Sequence, residues 1–380
     1  MPAPPPRVAV VGTGVIGAMT AWHLAARGAE VLAFDAYGPG HDRGASAGES
    51  RIFRTAYKEG ASYVPLLRRS YELWRRLETE SDRDLLTLCG GLTLGPPDHP
   101  DLRAVRRSAA EHGLDIEVLD AAEAGRRFPQ HRLDDDEIAV LDRQAGVLRP
   151  EPAVQAALAR AQELGAQLLP YHPVTGIDER SGGGWRIRTP RATYDADHVV
   201  LSPGPWTGSF ERLAGLPLRG RRITAAWFAA RDIAAHRPDR LPIAIRRHRD
   251  AGFSCFPVLD GTAVKIVPHH LAWPDADAPE DLPRGADAEF AQAASAAVAR
   301  LLPGLVPHPV RIGVYAEASS ADEHALLGPL PGARDATLLA GFSGHGFKLA
   351  PVFGEIAASL VTEGKSPYDI AFLDPARFTA

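Results

Sequence analysis

At 380 residues, 45% apolar and 23% charged, the chain has the length of two or three domains and the balance of an ordinary soluble globular protein. A net charge of −5 leaves no basic footprint for nucleic acid, and the two cysteines, Cys89 and Cys255, form no spaced pattern for a disulfide scaffold or a zinc site. No apolar run reaches the length of a membrane span, although "VAVVGTGVIGAMTAWHLAA" after Arg7 loosely resembles a signal peptide; a cytoplasmic protein without metal, membrane or nucleic-acid partners is expected.

Residues 7–11, "RVAVV", form the short β-branched run of a buried parallel strand. "GTGVIG" follows, with Gly12, Gly14 and Gly17 in G-x-G-x-x-G spacing, and opens a helical stretch that ends at Gly28. A second strand, "EVLAFD", finishes on Asp35. In this context Gly12 permits a tight turn, Gly14 lets the backbone approach a pyrophosphate, and Gly17 lets helix pack on strand. Val15 and Ile16 lie at the helix N-terminus, which stabilises phosphate charge. Asp35 can bind ribose hydroxyls and argues against a 2′-phosphate, hence against NADP. The ordered strand, glycines, helix, strand and acid favour a dinucleotide site over a glycine-rich turn without ligand, but do not separate NAD from FAD.

Farther along, "LCGGLTLGP" and "IAVLDRQAGVL" read as a strand-rich excursion, followed by an amphipathic helix over 151–164. Strands are expected around Gln167, Val174 and Trp185, with "SGGG" at 181–184 as a hairpin turn. "YDADHVVLSPGPWT" at 194–207 gives a strand and a glycine-rich turn. Residues 216–315 read mostly as strands ("TAAWFAA", "AGFSCFPV", "TAVKIVP"), interrupted by the acidic, proline-rich "WPDADAPEDLPRGADAE", a solvated loop before a helix over 288–302. "MPAPPP" reads as a disordered tail. Near the end, "GFSGHGFKLA" (341–350) gathers three glycines, a histidine and Lys348, in a chain whose 42 basic residues include only four lysines.

"GASAGESRIFRTAYKEGASYVPLLRRSYELWRRLE" from Gly44 to Glu78, the 194–207 stretch, "DEH" at 322–324 and "GFSGHGFK" together resemble the monomeric sarcosine oxidase and N-methyltryptophan oxidase family, from end to end of the chain. The R-I-x-R-x-A-Y-x-E-G pattern is carried by Arg51, Ile52, Arg54, Ala56, Tyr57, Glu59 and Gly60. The resemblance implies FAD and an oxidase acting on a secondary amine or imino amino acid, giving imine and hydrogen peroxide, with oxygen and a small amino-acid-like substrate as reactants and a monomeric protein. It implies an α/β (α+β) fold: a Rossmann-like FAD-binding domain (1–86, 146–215, 316–380) and a discontinuous, mainly antiparallel-sheet substrate domain (87–145, 216–315). Ser46, Ser50, Arg51, Val174, Gly204, Trp206, Tyr315, Gly344, His345, Gly346, Phe347 and Lys348 are the further cofactor contacts implied.

In that family Arg54 and Lys348 would grip the substrate carboxylate, an arginine fork and a point charge suited to it. The alternative for Arg54 is a surface ion pair. Lys265 lies by alternation on the face opposite Val264 and Ile266; it would hold a water over the flavin and help oxygen react, with Arg51 assisting, or else be an edge-strand lysine meeting water. His269 matches a pocket histidine. Three departures stand out: Tyr315 where the family has the cysteine that forms a thioether to the flavin, Ser254 in place of a pocket tyrosine, and Ala47 in place of one of two paired histidines. The first implies non-covalent FAD. The others imply a rebuilt pocket for a larger or more polar amino acid, to which "RRHR" at 246–249 adds positive charge unless it is a solvated loop. A flavin dehydrogenase with another acceptor and a non-catalytic dinucleotide-binding protein are the competing functions.

Overall fold

The structure, a computed structural model, describes residues 5–249, 251–269, 275–276, 279–281, 285 and 288–378. The first four residues of the expected tail, and most of the acidic stretch at 273–289, lie outside the described residues. The molecule is mixed α/β, built on two large sheets.

The first sheet has six strands, in the order Leu326–Pro329, Ala336–Ala340, His198–Leu201, Arg7–Val11, Glu30–Phe34 and Gln167–Leu169. Its pairs are parallel except that of Leu326–Pro329 with Ala336–Ala340. Arg7–Val11 lies inside it, and both faces of that strand are covered: Val8 and Val10 enter one apolar cluster, Ala9 and Val11 another. This is why the run carries no polar alternation. Helix Val15–Ala26 packs between helices Pro150–Glu163 and Ala350–Glu363. It is thus apolar all round, with Trp22 and Met19 fully buried.

The second sheet has nine strands and is mainly antiparallel. Its centre runs Leu218–Ala230, Ala263–Pro268, Gly252–Phe256, Ile243–Arg247, Gly91–Gly95, and Leu305–Ser320 pairs along the outer side of Leu218–Ala230. Helix Ala288–Leu301 covers one face, with Phe290, Ala294 and Val298 against Phe253, Cys255, Val264 and Ile266. The alternate residues of the same strands look the other way, into a cavity.

Two elements differ from expectation. Val174 is on no strand; it lies in the connection between Gln167–Leu169 and Gly176–Glu179, where Pro170 and Pro173 remove ladder donors. The strand-rich excursion also holds helices Pro100–His112 and Ala121–Arg127. The first starts with Pro100 behind a His99 cap and buries Leu102, Val105 and Ala109 at helical spacing. Among the described residues no helix is long and apolar enough to cross a membrane.

Candidate active site

A cavity of about 660 Å³ is walled by the glycine loop of the first sheet and the inner face of the second. Gly12 has φ +90°, and a Cβ there would stand 2.4 Å from the Ser202 carbonyl oxygen; a Cβ on Gly17 would stand 1.8 Å from Gly12 O. Both positions admit only glycine, and Gly17 serves helix–strand packing alone, outside the cavity wall. Asp35 Oδ2 accepts from Thr13 N (2.7 Å) and Thr13 Oγ1 (2.9 Å), and Oδ1 from Tyr37 N (2.8 Å). Burial opposes its ionisation, but His41 and these amides hold its carboxyl below the usual range. Asp35 therefore shapes the glycine loop as well as facing the cavity. Ser46 Oγ accepts from Val15 N at 3.0 Å, capping the helix, and the rings of Tyr37, His41 and Trp206 cluster beside Asp35. Gly14, Val15, Ile16, Val174 and Gly204 complete this end of the wall. A glycine loop, a helix N-terminus opening on the cavity and an adjoining aromatic cluster fit a dinucleotide cofactor, and the cavity continues past it.

The continuation is floored by the second sheet, where alternation puts Lys265, Ser254, Arg247, Tyr315 and Glu317 on one face. Lys265 is no edge lysine: its strand is paired on both sides, with Trp227 and Phe256 as its cross-strand neighbours. Its Nζ lies 5.8 and 4.7 Å from those two ring centroids and donates to Gly48 O (2.8 Å) and Ser50 O (2.9 Å). Burial, and then Arg51, push its pKa well down. Arg51 is itself anchored on Ser50 O and Ala45 O, with Tyr315 and Phe347 each 6.0 Å from its guanidinium. Ser50 stays out of the wall and acts through its carbonyl. Its hydroxyl is buried without a partner.

The 341–350 loop is held by a directed chain. His345 Nε2 bonds Glu323 O (2.8 Å), so it must donate, leaving Nδ1 to accept from the Tyr57 hydroxyl (2.9 Å). That hydroxyl accepts from Lys348 Nζ (3.3 Å), which also donates to His345 O (3.0 Å). Ser70 and Trp74 donate to the Lys348 carbonyl. Burial lowers the Lys348 pKa to about 7 and the His345 pKa to about 4. Gly344, Gly346 and Phe347 line the cavity beside them. Arg54 is not the surface ion pair of the alternative reading: it is 6% exposed, with Nη2 on both oxygens of Glu59 at 2.9 Å. Its Nε and Nη1 are buried without a partner. Burial opposes ionisation of Glu59, but Arg54 and then Lys58 hold its carboxyl at about 2. The cavity thus has, close to Lys348, a buried guanidinium with N–H groups to spare, which a carboxylate satisfies.

Sequence reasoning placed Glu59 in the recognised pattern without giving it a role, and missed Glu317 and the role of Arg247. Glu317 sits two residues beyond Tyr315 on the same face, and burial raises its pKa to about 7. His269 lines the cavity, joined to Ser254 and Arg247. Of "RRHR", only Arg247 reaches the wall; Arg246 is buried against Glu137. Cys255 faces the apolar core on the opposite side of the sheet.

The sequence matches the model of the FAD dependent oxidoreductase family over residues 7–360. It is 36% identical over 376 residues to a monomeric sarcosine oxidase of Streptomyces avermitilis, covering 98% of both chains. It is 32% identical over 374 residues to an N-methyl-L-tryptophan oxidase of Yersinia pestis, covering 97% of this chain and 98% of that one. The fold superposes on NikD, an amino acid oxidase essential for nikkomycin biosynthesis, with TM-score 0.87 and 26% identity, over 97% of this chain and 96% of that one. The glycine loop, the arginine pattern and the lysine-bearing loop meet in one cavity because the chain belongs to the FAD-dependent oxidoreductase family, as an amine oxidoreductase of the sarcosine oxidase type.

Proposed function

We propose that this protein oxidises the carbon–nitrogen bond of a secondary or cyclic imino amino acid with oxygen as acceptor, giving an imine and hydrogen peroxide. The observation that carries this reading is the buried Arg54, with Nε and Nη1 unpartnered, beside Lys348 in a cavity continuous with the glycine loop. FAD, when bound, accepts the hydride equivalent from the carbon next to nitrogen. Arg54 and Lys348 fix the substrate carboxylate, which orients the rest of the molecule. Lys265 and Arg51 supply positive charge where oxygen is reduced. Residues 1–86, 146–215 and 316–380 would form the cofactor-binding part, and 87–145 and 216–315 the substrate part. The cysteines are free, which suits a reducing cytoplasmic setting.

Anaerobic addition of an N-methyl-L-amino acid should bleach the flavin absorbance, and air should restore it with one hydrogen peroxide per substrate. No bleaching by any secondary amino acid would overturn the amine reading. Bleaching that air fails to reverse would instead point to another acceptor.

The flavin is held without a covalent bond in this reading. Burial, foremost, raises the pKa of the Tyr315 phenol, making it a poor nucleophile, and Cys255 is packed away from the cavity with its thiol pushed far up by burial. Acid precipitation should leave intact FAD in a yellow supernatant. A yellow pellet would show a covalent attachment and overturn this assignment.

A further inference from the structure

Arg54 and Lys348 make one pole of the cavity; a second polar group faces it from the larger sheet. Ser254 Oγ lies 2.9 Å from His269 Nε2, His269 Nδ1 lies 2.7 Å from Arg247 Nη1, and Arg247 Nε lies 2.7 Å from a carboxylate oxygen of Asp101. Ser254, His269 and Arg247 all line the cavity. Strand pairing explains the meeting: Ser254 is paired with Ile245 on one side and Val267 on the other, so Arg247 and His269 lie two residues along from its neighbours on the same face.

The group has a direction. A guanidinium N–H can only donate, so His269 Nδ1 accepts and the ring proton sits on Nε2. That proton is donated to Ser254 Oγ. The serine hydroxyl hydrogen is therefore not used by His269, and the Ser254 hydroxyl has no other hydrogen-bond partner among the described residues. Asp101 fixes the far end of the arginine, with Lys58 Nζ 4.0 Å away on the same carboxylate.

We propose that Ser254, oriented by His269 and Arg247, is a specificity-determining donor for an oxygen carried on the substrate's side chain, a carboxamide or carboxylate distinct from the one held by Arg54 and Lys348. This rests on the amino-acid oxidation proposed above. An apolar side chain leaves the serine donor unpaired in a desolvated site, whereas an oxygen completes the chain. Around this part of the cavity Arg54, Lys58, Arg247 and Lys348 outnumber Glu59 and Asp101, and this field favours an electron-rich oxygen. Arg247 is a positioning residue, acting through the imidazole.

The test uses FAD-loaded protein and the 2-methylthio analogues of asparagine, aspartate and leucine, in which sulfur replaces the amine and binding is read by calorimetry. The asparagine or aspartate analogue should bind about tenfold or more tightly than the similarly shaped leucine analogue, and the better of the two identifies carboxamide or carboxylate. Ser254→Ala and Arg247→Met should each bring that ratio close to one. General damage to the fold would weaken all three ligands together and leave the ratio unchanged. Equal binding of the three by the wild type, or a ratio that survives in Ser254→Ala, overturns the Ser254 donor site while N-methyl-leucine and N-methyl-asparagine still bleach the flavin. Failure of every N-methyl amino acid to do so overturns the oxidation reading and this site with it.

Discussion

Replacing Arg54 or Lys348 by methionine will weaken binding of a carboxylate inhibitor by about 2–5 kcal/mol, the cost of removing one partner from a desolvated charge pair, or roughly 30-fold to several thousand-fold. Affinity for an uncharged analogue should change much less. Lys348 adds a pH signature. Its folded pKa is lowered by burial to about 7, so it is only partly charged at neutral pH, and a bound carboxylate must raise that pKa. Inhibitor affinity should then be level well below pH 7 and fall as pH rises above it, with proton uptake on binding near neutrality. Calorimetry in buffers of different ionisation enthalpy measures that uptake. In Lys348→Met both the uptake and the slope should vanish, whereas Arg54→Met, which keeps the amine, should retain them. Unchanged affinity in both variants would remove the grip from this cavity.

The parts of this site legible in the sequence were those made by neighbours in the chain. Gly12 to Gly17 and Asp35 are one local unit, and their reading needed only strand, turn and helix in order. Glu59 is five residues from Arg54 and belonged to the recognised pattern, yet nothing local shows that this pair is buried rather than a surface contact. Alternation gave the correct face for Lys265. It could not show that the strand is central, because that follows from pairing with Leu218–Ala230 and Gly252–Phe256. The Arg247–Asp101 contact joins a strand of the larger sheet to a helix that sequence reading did not see. Glu317 was hidden differently: period two from Tyr315 gives its direction, but a glutamate in a long strand ordinarily faces water, and only the pairing of Leu305–Ser320 over the cavity removes the water from it. The error at Val174 was chemical and avoidable, since the two prolines that deny it a strand stand in the sequence.

Lys265→Met should slow oxygen-dependent turnover by about 100- to 1000-fold, the scale for losing one preorganised electrostatic group, while turnover with a dye acceptor falls far less. The surroundings of the Lys265 amine set this expectation. Its Nζ is enclosed by two carbonyls and two aromatic rings, with Arg51 as a neighbouring cation. Burial first, and Arg51 second, depress its pKa well below the usual lysine range. Such an amine gives up its proton easily in a neutral cavity and recovers it when negative charge gathers beside it. Oxygen gains negative charge as it takes electrons, so the ammonium is favoured during that step. Substrate oxidation moves no net negative charge toward oxygen and has no such need of it. The substitution should not act by unravelling the loop, because both carbonyls keep another donor: Gly48 O accepts from Ser50 N, and Ser50 O from Arg51 Nη1. Measuring oxygen consumption and dye reduction on the same preparations separates the two half-reactions. Equal losses in both would assign Lys265 a structural role under Trp227 and Phe256 and leave oxygen reduction to Arg51.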